Sequence, residues 1–395
     1  MTPDLRFPDF KDAWRDATAG DAFAHSKAKG EAGLPIWSVT LDRGMVPRDS
    51  LDRHMESDAA DETNLRAQPG DLVYNMMRMW QGAVGEASEE CMVSPAYVVL
   101  SPKPGTYSRF FDYWFKAPHM LHRLKSFSHG LTKDRLRLYY ADFAKIPIPL
   151  PSEDEQRKIA DFMDTVSEKI ALLNRERATL EDHKQGLMQR LFSREVRFAR
   201  KGGESFPDWE ERKLGDIATF YKGRGISKAD IADDGMTPCI RYGEIYTHYR
   251  ECIFDVISST NAPPQGLFMS EAGDVIIPAS GEDRMDMARA CCVERAGIAL
   301  GGDINVLRSP VNGDFLAYYL NNARKSEIAK LGQGISVVHL YPSHLKTLIV
   351  EVPSPEEQEK IVSALSAIDA KIDAVSDQIT YMESFKKGLL QKLFV

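Results

Sequence analysis

Along two stretches of the chain, apolar residues recur at alternating intervals of four and three. The first runs Ile159, Met163, Val166, Ile170, Leu173, Leu180, Leu187 and Leu191. The second runs Ile361, Leu365, Ile368, Ile372, Val375, Ile379, Met382, Leu389 and Leu393. This spacing places the side chains on one stripe of a helix and predicts a coiled-coil seam of about five heptads in each stretch. Ser152-x-x-Glu155 and Ser354-x-x-Glu357 predict capping boxes at the two helix heads. Pro355 suits a first helical position, where no N–H is needed. Lys184 and Lys386 interrupt the seam at equivalent places, and Arg177 does so in the first stretch alone. Either their stems pack while their heads reach water, or they fix register or face a partner.

The two stretches are copies of each other. Residues 151–192 and 353–394 align without a gap and share 15 of 42 positions, among them Glu155/Glu357, Gln156/Gln358, Lys184/Lys386, Gly186/Gly388 and Phe192/Phe394. Fainter echoes precede each copy. Phe7-Pro8-Asp9-Phe10 parallels Phe206-Pro207-Asp208-Trp209, and Gly20-Asp21 parallels Gly215-Asp216. Gly70-Asp71-Leu72-Val73 parallels Gly273-Asp274-Val275-Ile276, a turn leading into a buried strand. Leu138-Tyr139 matches Leu340-Tyr341. The chain therefore reads as a tandem α+β duplication. A globular domain (1–150) is followed by a long helix (151–193). A linker and second globular domain (194–352) are followed by a second long helix (353–395). Two amphipathic helices of equal length are expected to pair antiparallel, with pseudo-two-fold symmetry, which suits two separated half-sites on DNA.

Composition narrows the function. The formal charge is -8, which argues against a protein that simply coats nucleic acid. The acidity is segregated: residues 1–100 carry ten Lys/Arg against seventeen Asp/Glu, whereas 101–150 carry nine against three. None of the five cysteines, Cys91, Cys239, Cys252, Cys291 and Cys292, forms a C-x-x-C pair. Free thiols, no metal and a reducing cytoplasm are expected, with Cys291-Cys292 on a buried strand. The N-terminus shows no secretory pattern, and no apolar run is long enough for a bilayer. Asn261-Ala262-Pro263-Pro264-Gln265 lacks the aromatic of an amino-methyltransferase motif and reads as a loop. Gly223-Arg224-Gly225 is not a dinucleotide fingerprint, and no phosphate-binding GxxxxGK[ST] loop is present. No catalytic residue and no cofactor are expected.

The repeated segments resemble the specificity subunits of type I restriction–modification systems. Residues 146–156 and 349–358 lead through Glu-Gln into the long helices, which end K-x-G-L-x-Q-x-L-F at 184–192 and 386–394. GDLVYNMMRMWQGA at 70–83 and KLGDIATFYKGRGISK at 213–228 resemble the family's target-recognition domains. The likeness covers nearly the whole chain. It implies a non-catalytic subunit that binds double-stranded DNA, each domain reading half of a bipartite, asymmetric site. It also implies helices that hold the domains apart and dock two methyltransferase subunits, with motor–nuclease subunits joining for restriction. An orphan subunit serving a methyltransferase alone, and a coiled-coil adaptor without a DNA role, remain alternatives.

Within that frame, three kinds of segment are candidate DNA contacts. The loop after the Gly-Asp strand offers Arg78, Trp80 and Gln81 in the first domain and Ser280 and Arg284 in the second; Arg and Gln are natural readers of guanine and adenine edges. The basic end of the first domain offers Arg109, Lys133, Arg135 and Arg137 for phosphates, besides Lys116, Arg123 and Lys125. Its counterpart in the second domain offers Gln333, Ser336 and His339. The opening of the second domain offers Lys222, Arg224, Ser227, Lys228, Arg241 and Tyr242. The helix tails are expected to be partner surfaces: Gly186, Leu187, Leu191 and Phe192, and Gly388, Leu389, Leu393 and Phe394.

Overall fold

Both seams form uninterrupted helices, Glu153–Phe192 and Pro355–Lys392. The computed structural model describes residues 3–51, 63–132 and 136–394. Its contacts divide the chain into two compact units, and the division cuts through both helices. Unit 1 is Met1–Arg175 with Val375–Val395, and unit 2 is Glu176–Ala374.

Each unit therefore holds the head of one long helix and the tail of the other. In unit 1, Ile159, Met163 and Val166 share a core with Leu389, Leu393 and Phe394. In unit 2, Met188, Leu191 and Phe192 share a core with Ile361 and Leu365. Heads meet tails, so the helices pair antiparallel in both units. The predicted seam is buried almost throughout the second helix, from Ile361 at 1% exposure to Leu393 at 1%. In the first helix Leu180 and Leu187 are half-buried, and Met188 takes the innermost place beside Leu187.

Unit 1 is built on a four-stranded antiparallel sheet in the order Phe23–Ser26, Tyr97–Pro102, Leu72–Asn75, Val84–Glu86. Unit 2 has a five-stranded sheet in the order Thr219–Lys222, Ile304–Arg308, Asp274–Pro278, Cys291–Val293, Cys252–Ile253. A second, four-stranded sheet joins Ser258–Thr260, Thr237–Ile240, Ala299–Leu300 and Phe268–Met269. The duplication is visible strand by strand. Arg15–Thr18 pairs with Pro147–Leu150 just before the first long helix, and Glu210–Lys213 pairs with Ile349–Val352 just before the second. The Gly-Asp turns hold as read: Gly70 and Gly273 take φ of 88° and 87°, a region that favours glycine. Asp71 accepts from Gln68 N–H at 2.9 Å, and Asp274 from Glu271 N–H at 2.8 Å. The Cys291–Val293 strand is fully buried. Residues 261–265 lie in a loop entering a short 3₁₀ turn at Pro264–Gly266. No helix among the described residues is long and apolar enough to cross a membrane.

The helix heads differ from the sequence expectation. Glu155 N–H does reach Ser152 Oγ at 3.4 Å, but Ser354 Oγ is buried with no hydrogen-bond partner. Neither glutamate folds back as a capping box requires. Each is taken by an arginine from the irregular segment that precedes its domain's first strand. Arg6 donates to both Glu155 oxygens at 2.7 and 2.8 Å. Arg197 donates to both Glu357 oxygens at 3.0 and 2.9 Å, and Trp209 Nε1 adds a third bond at 3.1 Å. A fork-to-fork ion pair outcompetes a single bond to a backbone N–H. The adjacent glutamines complete the clamp. Gln156 Nε2 donates to Pro151 O and Gly105 O, both at 2.9 Å, and its Oε1 accepts from Tyr107 N–H at 2.8 Å. Gln358 donates to Pro353 O at 2.8 Å and accepts from Asn312 N–H at 3.0 Å. The repeated Glu-Gln dipeptide thus bolts each long helix to the domain before it.

Candidate nucleic-acid interface

In unit 1 the strand Leu72–Asn75 ends in a loop closed by a 3₁₀ turn, Met79–Gln81. Met79 is fully buried and anchors it, whereas Arg78 and Gln81 are exposed and bonded to each other at 3.1 Å. Trp80 is half-buried: its indole N–H donates to Met77 O at 3.0 Å, and the Lys125 ammonium lies 5.7 Å from its ring centroid. The loop is thus joined to the basic helix Pro118–Ser126, bringing Arg78, Gln81 and Lys125 onto one surface. Arg137 is exposed, and its backbone exchanges bonds of 2.8 and 2.9 Å with His129. Lys133 and Arg135 lie outside the described residues.

Arg109 belongs elsewhere. It sits on the helix Ser108–Trp114 and donates from Nε and Nη2 to Asp164 of the first long helix at 2.8 and 2.5 Å. A further bond reaches Asp112 at 3.2 Å. Its forked donors face carboxylates of its own unit, so Arg109 is a tie between domain and helix and leaves the candidate DNA surface.

Unit 2 repeats the loop framework with different side chains. Leu138 N–H donates to Met76 O in unit 1, and Leu340 N–H donates to Ala279 O in unit 2, both at 2.9 Å. The bridge His129↔Arg137 has its counterpart in Gln333↔His339. Ser280 pairs in register with His339, and Arg284 donates to Gly334 O at 3.2 Å. Ser280, Arg284, Gln333 and His339 therefore share one ribbon. All but Ser280 are exposed, as is Ser336 at the ribbon's tip; Ser280 is buried and acts through its backbone.

The opening of the second domain forms a recess of about 550 Å³ lined by Ser227, Lys228, Arg241, Tyr242 and His248. Ser227 caps the turn Lys228–Asp230, binding Asp230 through N–H at 2.8 Å and Oγ at 2.6 Å. Those two bonds hold the Asp230 carboxyl below its usual range. Arg241 is bonded to the buried Glu244 at 2.6 Å, so it presents only part of its fork outward. Lys222 and Arg224 are exposed at the end of the strand Thr219–Lys222 and in the loop beyond it.

Residues that the sequence did not offer as DNA contacts line a comparable recess of about 570 Å³ in unit 1: His25, Lys27, Lys29, Tyr97 and Tyr139. His25 stacks on Tyr140 with ring centroids 4.7 Å apart, and burial, followed by the charge of Lys27, pushes its imidazole below the usual range. Nothing in the local pattern at 25–29 marks it, because sheet pairing of Phe23–Ser26 with Tyr97–Pro102 is what carries it to Tyr97.

The helix tails require a correction. Leu191, Phe192, Leu389, Leu393 and Phe394 are all at most 5% exposed, and Leu187 packs against the core of unit 2. Phe394 meets Phe110 and Trp114, and Phe192 meets Phe315 and Tyr319. Burying such a ring stabilises by about 1.5–3 kcal/mol, so these side chains serve their own unit's core and are unavailable to another subunit. Gly186 and Gly388 differ: a Cβ at either would meet no atom within 4 Å. No described residue of this chain needs the space they leave, which is open at both sites.

Comparison with known proteins agrees with this architecture. Residues 19–182 and 207–381 match the family described as type I restriction modification DNA specificity domain. The MjaVIII specificity subunit of a type I restriction enzyme from Methanocaldococcus jannaschii is 24% identical over 273 residues, 64% of this chain and 62% of the relative. The MjaIX specificity subunit from the same organism is 23% identical over 87% of this chain and 81% of the relative. The chain thus spans under two thirds of the first of these relatives. Among solved structures, the type I restriction-modification S subunit from M. genitalium superposes with a TM-score of 0.60 at 17% identity, covering 100% of this chain and 99% of that one. A chain from a structure of type I R-M complex assembly and conformational transition gives 0.58 at 17% identity, covering 99% of each. With both halves matched in tandem and the paired long helices in place, the chain belongs to the type I restriction modification DNA specificity family.

Proposed function

We propose that this chain is the non-catalytic, cytoplasmic DNA-recognition subunit of a type I restriction–modification complex. Each domain reads one half of a bipartite, asymmetric DNA site. The long helices set the unread spacer and dock two methyltransferase subunits, which motor–nuclease subunits join for restriction. One observation carries the reading: the two units keep the same loop anchors, Leu138 on Met76 and Leu340 on Ala279, while displaying unlike side chains from them. A shared scaffold with divergent tips suits two readers of different half-sequences. Arg78, Gln81, Lys125 and Arg137 supply base and phosphate contacts from unit 1, with Lys133 and Arg135 between them in sequence. Lys222, Arg224, Lys228, Tyr242, Arg284, Gln333, Ser336 and His339 supply them from unit 2. The methyltransferases contact the open helix faces at Gly186 and Gly388, the latter beside the exposed Tyr381 and Phe385.

Methylation mapping of a domain exchange tests the proposal. Replacing residues 1–145 with those of a relative changes one half of the methylated sequence and leaves the other intact. Inserting four residues between Leu173 and Leu180 adds about 6 Å and one turn of helix, which lengthens the spacer by about one or two base pairs. Simultaneous change of both half-sequences overturns the independence of the readers. An assembled insertion variant that methylates only the original spacing overturns the helical ruler.

A further inference from the structure

The helix Gly313–Ala323 of unit 2 occupies the place that Ser108–Trp114 holds in unit 1. Packing fixes the correspondence. Phe110 and Trp114 meet Trp14, as Phe315 and Tyr319 meet Trp209. Tyr113 and Tyr318 each donate their hydroxyl to an aspartate of a long helix, Asp164 at 2.6 Å and Asp369 at 2.5 Å. Four residues before each tyrosine stand Arg109 and Asp314. The sheets beneath correspond as well: Leu72 pairs with Glu86, and Val275 pairs with Cys292.

In unit 1 this place holds a cation. Arg109 bonds Asp164 and Asp112, and its charge opposes the rise that burial imposes on the Glu86 carboxyl. In unit 2 the same place holds an acid, Asp314. Cys292 Sγ and carboxylate oxygens of Glu294 and Asp314 all lie within 4.8 Å of one another. The Cys292 thiol, on a side chain 1% exposed, donates to Glu294 Oε1 at 3.1 Å. Cys252 is the register partner of Cys292 on a parallel strand, which puts both side chains on one face of the sheet. Asp314 Oδ1 is buried and has no hydrogen-bond partner. The strongest charges and bonds acting on Cys252, Cys292 and Glu294 come from one another, Asp314 and Tyr318, with no Lys, Arg or His among them.

We infer that Cys252, Cys292, Glu294 and Asp314 bind a divalent transition metal, with zinc the best fit. The metal stands where unit 1 places the Arg109 guanidinium. Two sulfurs with two carboxylates suit tetrahedral zinc and disfavour magnesium or calcium, which take oxygen ligands. Zinc ligands at about 2.0–2.3 Å lie roughly 3.5 Å from each other, so the Cys292, Glu294 and Asp314 donors, now within 4.8 Å, close by about 1 Å, and Cys252 Sγ, outside that trio, joins from its register position beside Cys292. Both thiols lose their protons to solvent on binding, and Glu294 binds as the carboxylate. The metal ties the head of Gly313–Ala323 to the sheet and so supports Tyr318, whose hydroxyl holds Asp369 of the long helix. This departs from the sequence expectation of free thiols and no metal, and it does not depend on the DNA-recognition reading.

Cobalt titration of the metal-free, full-length chain tests it. One equivalent of Co²⁺ gives the near-ultraviolet sulfur-to-cobalt charge-transfer band, and Zn²⁺ abolishes that band by displacement. Cys252→Ser and Cys292→Ser each lose most of the band, while Cys91→Ser and Cys239→Ser keep it. Asp314→Arg, which restores the cation of unit 1, removes binding while unit 2 stays folded by circular dichroism. Zinc raises the unfolding midpoint of wild type and not of the Cys252→Ser variant. Wild-type chain without a charge-transfer band, a band that survives in the Cys252→Ser/Cys292→Ser double variant, or cobalt bound with no sulfur band overturns the proposal.

Discussion

Lys184 and Lys386 occupy the same place in the two copies of the long helix and meet opposite surroundings. Lys184, in unit 2, is buried between Glu251 at 2.7 Å and Asp369 at 2.8 Å, with its ammonium 5.1 Å from the Tyr318 ring centroid. Burial raises the Glu251 carboxyl, but the Lys184 charge and hydrogen bond outweigh it and hold that carboxyl below its usual range. Lys386, in unit 1, lies 5.6 Å from the Tyr113 ring centroid. Burial lowers its ammonium from the usual range, and Lys116 and Arg109 lower it further against the pull of Asp112 and Asp164. The domain side of the junction explains the contrast. Unit 1 brings its cations on the globular domain, so the seam lysine is surplus. Unit 2 brings acids, so the seam lysine is required. Duplication kept the Glu-Gln clamp and the tyrosine tie and let charge migrate between helix and domain.

The largest expected effect follows directly. Lys184→Met leaves the mostly buried Glu251 carboxylate without its ion-pair partner and Asp369 with Arg250 at 3.4 Å, which costs about 3 kcal/mol in unit 2. Lys386→Met leaves no such pair and is neutral or stabilising at pH 7. Urea unfolding followed by hydrogen exchange in each unit measures both, and equal losses would break the comparison.

The clamps should behave alike, because both copies keep them. Glu155→Gln and Glu357→Gln each remove one side of a two-bond ion pair with Arg6 or Arg197 and cost about 1.5–3 kcal/mol by the same assay. The value is larger at Glu357, which also accepts from Trp209. An effect confined to one unit would show that the clamp is not shared framework.

A pH test separates the two lysines more finely. Because the Lys386 ammonium is depressed when folded, the native state holds fewer protons than the unfolded one between that depressed value and about 10.4. Stability attributable to Lys386 is therefore complete above about pH 10.4 and is lost as pH falls through the folded value. Subtracting the pH–stability curve of Lys386→Met from that of wild type should leave a difference rising toward alkaline pH. A flat difference would mean that Lys386 is solvated.

The smallest effects belong to the helix glycines. Gly186→Ala and Gly388→Ala place a methyl in open space and should stabilise by about 0.5–1 kcal/mol each. Thermal unfolding of the isolated chain checks this, and a loss at either site would mean that the chain itself fills the space beside that glycine.

What the sequence revealed was local and repeated. The seam spacing, Pro355, the Gly70 and Gly273 turns and the buried Cys291–Val293 strand all follow from periodicity or backbone chemistry within a few residues. What it misassigned depends on partners far away in the chain. Ser-x-x-Glu has the spacing of a capping box, but Glu357 faces Arg197, 160 positions distant. Phe394 follows an amphipathic helix and has the character of a docking residue, but it packs on Phe110 and Trp114. Arg109 has the chemistry to bind a phosphate, and that same chemistry binds Asp164.

The unit boundary through both long helices sets an order of assembly during synthesis. Unit 2 is one continuous segment, Glu176–Ala374, and it lies within the sequence of unit 1. The first domain leaves the ribosome early with Phe110, Trp114 and Ile159 prepared for a core whose remaining pieces, Leu389, Leu393 and Phe394, are made only after the whole of unit 2 has been translated. Closing that loop is entropically costly and slow, and the apolar face waits exposed meanwhile. The domain translated first is thus the domain completed last, and a chain cut short just after Ala374 carries the whole sequence of unit 2 but an unfinished unit 1.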